Sequence, residues 1–365
     1  MRKQSRKAAT VLCVILSAFL FPIPTQAIIV GGGSLEYLVG IASIVVKARV
    51  VSIVQPEFER LTFVIEPLVV LQGSGQSLPK QILVKPAEPI WPLELGHPYQ
   101  RGIVALFFLE KQGDRFVIQN NINAILPAMD APTQLRAGDS LKQNLLQELN
   151  PVLDAAKNDI VRSRLLVLLS QLATRAQESI FIPFLDSSSI WEQRAAMAAL
   201  LRLNPTSERV ETASRDFKAF LAEQQDIADE WQFWNLYEEV LYVRYKYKVE
   251  KDDTVALLPL YRTIADVSVF YQDRRNRRGD EIALHGLARV NQREDALRLY
   301  HYVSNQSAYL RHQSLGALCR MFDLPLEPAH VTSYEMPLSP SVIKWEQQMQ
   351  KAVREALERR GVLPR

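Results

Sequence analysis

The sequence predicts an α+β protein of more than one domain, in which a small β barrel or sandwich is followed by an α-solenoid array of helices. Two observations predict this fold class. Short runs rich in Val and Ile alternate with turn residues between residues 28 and 130, and apolar residues recur at helical spacing from residue 139 to residue 365. A chain of 365 residues is long enough for about two such domains.

Residues 1–27 have the three parts of a cleavable export signal. Basic residues begin the chain, an apolar run extends from Ala8 to Phe21, and Thr25 and Ala27 place small residues where a signal peptidase cuts. The alternative is an uncleaved anchor, but the run is shorter than the roughly 20 residues of a membrane span, and Pro22 and Pro24 interrupt it. We therefore expect an exported protein, periplasmic or extracellular, without a transmembrane segment after cleavage.

Removal of the signal would leave a chain with almost no net charge. The signal contains four of the 43 Lys and Arg residues and none of the 40 Asp and Glu residues, which leaves 39 basic side chains against 40 acidic ones. This balance gives no reason to expect a nucleic acid or an anionic membrane as partner. Cys13 would be lost with the signal, and Cys319 alone cannot form an intramolecular disulfide.

Residues 28–130 are predicted to form a β domain with about five short strands. Ser43–Val54 is the longest β-branched run, and its alternation places Lys47 and Arg49 on one face. Gly113 and Asp114 give a hairpin signal between the last two runs. The other predicted strands are Leu61–Ile65, Val69–Leu71, Gln81–Lys85, Ile103–Leu109 and Arg115–Ile118. Residues 131–138 are the predicted linker to the helical domain.

The β domain resembles the netrin-like and tissue-inhibitor-of-metalloprotease-like modules. The segments that carry the resemblance are Val69–Gly73 and Tyr99–Leu109, together with the apolar first strand. The resemblance implies an OB-type barrel. The chain lacks the cysteines of those modules, including the N-terminal one that carries inhibition, so the resemblance implies no inhibitor function.

Residues 139–365 are predicted to form a helical-repeat domain. Phe181–Trp191 aligns with Leu299–Tyr309 at a fixed shift, and the match continues until Arg202 lies over Arg320. A second shift, which places Arg202 over Arg289, brings Asp280–Val290 into the same register.

A third shift, which places Ile160 over Trp191, adds Ile160–Leu172 to the same register, and the same spacing recurs between the third and fourth copies. These units resemble HEAT repeats, in which Arg311, Ala317 and Ala199 match residues of the second helix. The resemblance implies stacked helices that approach closely at small residues. An unrelated helical bundle is the alternative.

Two segments of the helical domain are candidate binding sites. Four arginines precede a predicted helix and could bind a carboxylate or a phosphate, or they belong to a solvated loop: Arg274, Arg275, Arg277 and Arg278. The aromatic segment 231–247, with Trp231, Trp234 and Tyr237, is either a shelf for sugars or peptides or a helix with two buried faces.

Ser140 is the one candidate for a nucleophile. Residues 138–141 copy the opening block of the GDSL hydrolases, and His330 would be the distant base. The competing interpretation makes Asp139 or Ser140 the N-cap of a helix. The histidines show no spacing typical of metal ligands, so we predict no metal and no cofactor.

These observations favour an exported scaffold that binds a protein partner through a helical-repeat surface and has no chemistry of its own. Two alternatives stay open. One is an envelope protein that binds a glycan or a small ligand, and the other is a serine hydrolase that uses Ser140.

Overall fold

The structure of the chain is a computed structural model. It describes residues 35–54, 62–73, 78–86, 100–113, 115–119, 125–133, 135, 139–222, 251–270, 277–305, 307–324 and 340–364. The predicted signal at residues 1–27 lies outside these ranges, and its cleavage stays a prediction. None of the described helices has the length and the hydropathy needed to cross a bilayer.

Five strands close into a barrel in the first part of the chain, and a short sixth strand extends the sheet. The strands are β1 (Ile44–Val54), β2 (Thr62–Gln72), β3 (Ile82–Pro86), β4 (Val104–Gln112), β5 (Arg115–Ile118) and β6 (Ile125–Pro127). β1 pairs with β2 on one edge and with β4 on the other, while β3 and β5 pair in parallel. The order β1-β2-β3-β5-β4 therefore returns to β1, and the domain is a barrel rather than a sandwich.

β2 replaces two of the predicted strands. The predicted strands Leu61–Ile65 and Val69–Leu71 leave residues 66–68, which include Pro67, between them. The pairing with β1 instead changes register between Lys47 and Ala48, which pair with Val69 and Pro67, so the strand continues through a bulge at Leu68. The interior is apolar, and the rings of Phe63 and Phe107 meet edge to face.

Eleven α-helices lie in the described part of the chain. They are α1 (Leu35–Ile41), α2 (Leu141–Ala155), α3 (Asp159–Leu172), α4 (Ile190–Leu203), α5 (Ser207–Ala222), α6 (Lys251–Ala256), α7 (Leu258–Phe270), α8 (Arg277–Val290), α9 (Ala296–His301), α10 (Ala308–Met321) and α11 (Pro340–Arg359). Short 3-10 segments precede α4, precede α9 and follow α9. The sequence predicts neither α1 nor β6, since both lie in the stretch read as strands and loops.

Four of these helices have the same length and a regular spacing. α3, α4, α8 and α10 contain 14 residues each. The distance along the chain from the start of α3 to the start of α4 equals the distance from the start of α8 to the start of α10. The bounds of all four helices coincide under the shifts that align their sequences. Packing joins α3 to α4, α7 to α8, and α8 to α10.

A buried lysine joins the barrel to the helices. Lys47 of β1 is 2 % exposed, and its Nζ donates to Glu148 Oε2 of α2 at 2.7 Å, to the Ala131 carbonyl at 2.8 Å and to Thr133 Oγ1 at 3.2 Å. The three N–H groups of the ammonium therefore have three acceptors. The apolar core also continues from the barrel into the helices without a gap.

Candidate functional site

The predicted binding residues fall on parts of the chain whose side chains are not described. Arg274 and Arg275 lie outside the described residues, and so do Trp231, Trp234 and Tyr237. Arg277 and Arg278 form the first turn of α8, which begins one turn earlier than predicted, but their side chains are not described. Both candidate sites therefore stay predictions.

Ser140 is the N-cap of α2. Its Oγ accepts the N–H of Gln143 at 3.3 Å, and its own N–H donates to Gln143 Oε1 at 2.7 Å, which makes a capping box. This geometry confirms the capping interpretation and gives the hydroxyl a structural partner. His330 lies outside the described residues.

Two other described candidates for a nucleophile or a base are buried within the fold. Burial raises the pKa of the Cys319 thiol to about 11, so the thiolate is scarce at neutral pH. Burial also lowers the pKa of His285 to about 4, and its Nε2 lies 3.0 Å from the Tyr309 hydroxyl. Among the described residues, no group of three His, Cys, Asp or Glu side chains could hold a metal ion.

Carboxylates held by arginines recur where successive helices meet. Asp295, which is fully buried, accepts both Nε and Nη2 of Arg262 from α7, at 2.7 Å and 2.9 Å. Arg298 makes a matching pair of bonds to Asp266 of α7, at 2.7 Å and 2.9 Å. Such two-point contacts fix the relative orientation of the two groups as well as their distance.

A second cluster joins α10 to α11. Glu346 of α11 accepts Arg311 Nε at 2.5 Å and lies 3.0 Å from His312 Nε2. Burial raises the pKa of Glu346, but the hydrogen bonds from Arg311 and His312 outweigh it, so the pKa lies below the usual range. Trp345 packs edge to face on the His312 ring. The cluster anchors α11 to α10.

Helix α1 bonds to side chains of α2, α3 and α4. Gln171 Oε1 of α3 accepts the N–H of Leu35 at 2.6 Å, and Arg202 Nη2 of α4 donates to Glu36 Oε2 at 2.7 Å. Lys142 Nζ donates to the other carboxylate oxygen of Glu36, also at 2.7 Å. Burial raises the pKa of Glu36, but the bond from Lys142 and the charge of Arg202 outweigh this and leave the pKa below its usual range.

Sequence reasoning aligned Arg202, Arg289 and Arg320 but gave them no role. Each is the penultimate residue of its helix, as is Gln171 in α3. The sequence feature that marks this position is the alignment of the four copies, which places these residues at the same point of each helix. The sequence could not show that α1 bonds to Gln171 and Arg202. These contacts join residues that are distant along the chain.

The chain was compared with protein-family models, with curated proteins and with solved structures, and none of the three comparisons finds a match.

Proposed function

We propose that this chain is an exported scaffold whose helical domain is a HEAT-like α-solenoid that binds a protein partner. The observation that carries the proposal is the set of four 14-residue helices with matching spacing. Stacked repeats present a long, rigid surface, and binding on such a surface needs no catalytic group.

Local geometry before α4 and α10 supports the repeat interpretation. Ser187 Oγ accepts the N–H of Ser189 at 3.2 Å, and Asn305 Oδ1 accepts the N–H of Ser307 at 2.9 Å at the matching place in the later copy. The side chain of Gln193 donates to the carbonyl of residue 187, and the side chain of Arg311 donates in the same way to the carbonyl of residue 305. Different side chains therefore make the same turn in both copies.

Packing along the chain supports a rigid array. Successive contacts join α2 to α3, α3 to α4, α4 to α5, α5 to α7, α7 to α8, α8 to α10 and α10 to α11. A surface in which each element packs on its neighbour loses little conformational entropy on binding. The two-point pair between Arg311 and Glu346 stiffens the step from α10 to α11, and the pair between Arg298 and Asp266 ties α9 to α7.

The barrel and the export signal complete the proposal. The order β1-β2-β3-β5-β4 is consistent with the OB-type barrel that the sequence resemblance implies. Export places the scaffold in the periplasm or outside the cell after cleavage behind Ala27. N-terminal sequencing of the exported protein should then begin at Ile28.

A cross-linking pull-down tests the function. The bait is residues 28–365 with a C-terminal tag, and the prey is the envelope fraction of the source cells, read by mass spectrometry. We expect a reproducible protein partner, and weaker capture by a variant in which Arg274, Arg275, Arg277 and Arg278 are changed to serine. Capture that does not change would remove these four arginines from the site. An absence of any enriched protein would contradict the scaffold function.

A further inference from the structure

Helix α10 is joined both to α8 and to α11 by a contact that contains a buried histidine. Nε2 of His285 in α8 lies 3.0 Å from the Tyr309 hydroxyl of α10, and the two rings are inclined at 60°. Nε2 of His312 in α10 lies 3.0 Å from Oε2 of Glu346 in α11. The two histidines are only 3 % and 7 % exposed, so a positive charge on either ring has to be stabilised by its neighbours.

A positive charge on His285 weakens the joint between α8 and α10. Burial lowers the pKa of His285 to about 4, so the closed joint disfavours the charged ring, which gains by contact with water. On the side of α7, the Tyr261 ring lies tightly against Gly286, the next residue of α8. On the side of α10, Tyr309 is half-buried and lies near the surface. Water therefore reaches the ring most easily if α10 moves away.

The other charges on α8 and on the helices packed against it do not reverse this effect, because burial determines the direction of the pKa shift. On α8 itself, Glu281 and Arg289 lie one turn before and one turn after the histidine and carry opposite charges. Asp266 of α7 and Arg298 of α9 bind each other. The described side chains of α6, residues 254–256, do not titrate.

The joint between α10 and α11 holds under the same conditions. Burial raises the pKa of Glu346, but the bonds from Arg311 and His312 outweigh it, so the carboxylate stays ionised in weak acid. Protonation of His312 places a positive charge beside this carboxylate, and charge-assisted hydrogen bonds are stronger than neutral ones. Acid therefore loosens one joint of α10 and strengthens the other, so that α10 and α11 stay together.

We propose that the helical domain contains an acid-operated switch, in which α10 and α11 move together away from α8 in weak acid. In the open state His285 has the ordinary pKa of 6.5, against about 4 in the closed state, so acid favours the open state between these two values. From pH 7 to pH 5 the ratio of open to closed molecules should rise about twentyfold.

The consequence for binding rests on the proposed function. An exported chain meets the pH of its surroundings, and a protein partner that contacts both α8 and α10 would lose part of its surface when the joint opens. The switch itself needs no partner, so it is tested on the chain alone. A partner captured in the pull-down without any opening in acid would leave the scaffold function in place and reject only the switch.

Distances between two spin labels test the switch in the chain of residues 28–365. One pair of labels spans the joint, on Lys218→Cys in α5 and Lys351→Cys in α11, and the other lies beyond it, on Arg320→Cys in α10 and Lys351→Cys. All three positions are exposed. Cys319→Ser removes the remaining thiol of this chain. Double electron–electron resonance is recorded at pH 7 and at pH 5 for both pairs.

We expect the pair across the joint to gain a second distance whose population is about twentyfold larger at pH 5 than at pH 7, while the pair on α10 and α11 keeps one distance. His285→Gln should abolish the second distance. The matched control is His301→Gln, which removes an exposed histidine from α9 and should leave the response unchanged.

A further variant tests the joint without removal of the histidine. Tyr309→Phe keeps the buried imidazole but removes its bond to α10, so the second distance should already be more populated at pH 7. One distance at both pH values in the starting protein, or a second distance that persists in His285→Gln, would overturn the switch. A change in both label pairs would show that acid unfolds α10 and α11 rather than moving them, which would also overturn it.

Discussion

Gly286 of α8 lies close against the Tyr261 ring of α7. A Cβ added there would lie 2.3 Å from Cγ of Tyr261, well inside the distance that two carbon atoms tolerate. The ring is buried and cannot move away without displacing its neighbours. We expect Gly286→Ala to lower the free energy of unfolding by about 1–3 kcal/mol, measured by urea denaturation.

Gly316 is the matched control, because it also lies inside a 14-residue helix. A Cβ there would meet only Arg320 Nη1, at 3.6 Å, which is ordinary contact. Alanine has the better helix propensity, so Gly316→Ala should raise the free energy of unfolding by up to about 1 kcal/mol. Equal effects of the two substitutions would show that α7 and α8 are not in close contact at Gly286.

His285 should make the stability of the protein depend on pH. Its pKa is about 4 in the folded chain, against 6.5 for an ordinary histidine, because it is buried. Between these two values the unfolded chain binds a proton that the folded chain does not, so stability falls as the pH falls from about 6.5 to about 4. From pH 7 to pH 5 the expected loss is about 2 kcal/mol.

The comparison of wild type with His285→Gln isolates this contribution. Glutamine is neutral at both pH values and keeps an acceptor for the Tyr309 hydroxyl. Urea denaturation at pH 7 and pH 5 should show a smaller loss of stability in the variant, by about 2 kcal/mol. An identical pH dependence in both proteins would mean that His285 is not buried in its neutral form.

At the scale of elements, substitution of Ser140 distinguishes a capping role from a catalytic role of this residue. The hydroxyl accepts a hydrogen bond from Gln143, so Ser140→Ala should cost about 1 kcal/mol of stability. Ser307 is the matched control, because it is the N-cap residue of α10 yet its buried Oγ bonds to nothing in the described part of the chain. Ser307→Ala should leave stability unchanged or raise it slightly.

Denaturation curves of the two serine variants give the comparison. A loss in Ser140→Ala alone supports the cap. An ester-hydrolysing activity that disappears in Ser140→Ala while stability does not change would contradict the structural role and favour the hydrolase alternative.

Elements with strong local patterns could be predicted from the sequence. β1 and β5 lie within a residue of their predicted bounds, and the four 14-residue helices lie in the predicted register. α1 could not be predicted, because Leu35, Tyr37 and Val39 suit a strand as well as a helix. It bonds to Gln171 and Arg202, which are distant along the chain, and no local pattern encodes such contacts. β6 was missed because so short a strand carries too little pattern.

At the scale of the candidate sites, the sequence alignment could identify the penultimate residues of the 14-residue helices as equivalent. It could not show which groups their side chains bind. Arg202, Arg289 and Arg320 share one register, and only the structure shows that the first of them binds a carboxylate. Lys47 was placed on one face of β1 with Arg49, and both side chains bind the segment that follows β6. The burial of Lys47 could not be foreseen, because its partner Glu148 lies far away along the chain.

At the scale of the whole molecule, the pair of Lys47 and Glu148 couples the barrel to the helices. Both side chains are almost fully buried, at 2 % and 7 % exposure, and a buried charge without its partner is costly. Lys47→Met leaves Glu148 uncompensated and should lower the free energy of unfolding by about 3–5 kcal/mol. The double variant Lys47→Met/Glu148→Leu removes both charges and should recover most of this loss.

Hydrogen exchange shows whether the coupling extends to both domains. Because Lys47 belongs to β1 and Glu148 to α2, the single variant should accelerate amide exchange in both elements, and the double variant should restore protection in both. Faster exchange in β1 alone would show that the barrel opens independently of the helices. In that case the shared apolar core, rather than the ion pair, would be the link between the barrel and the helices.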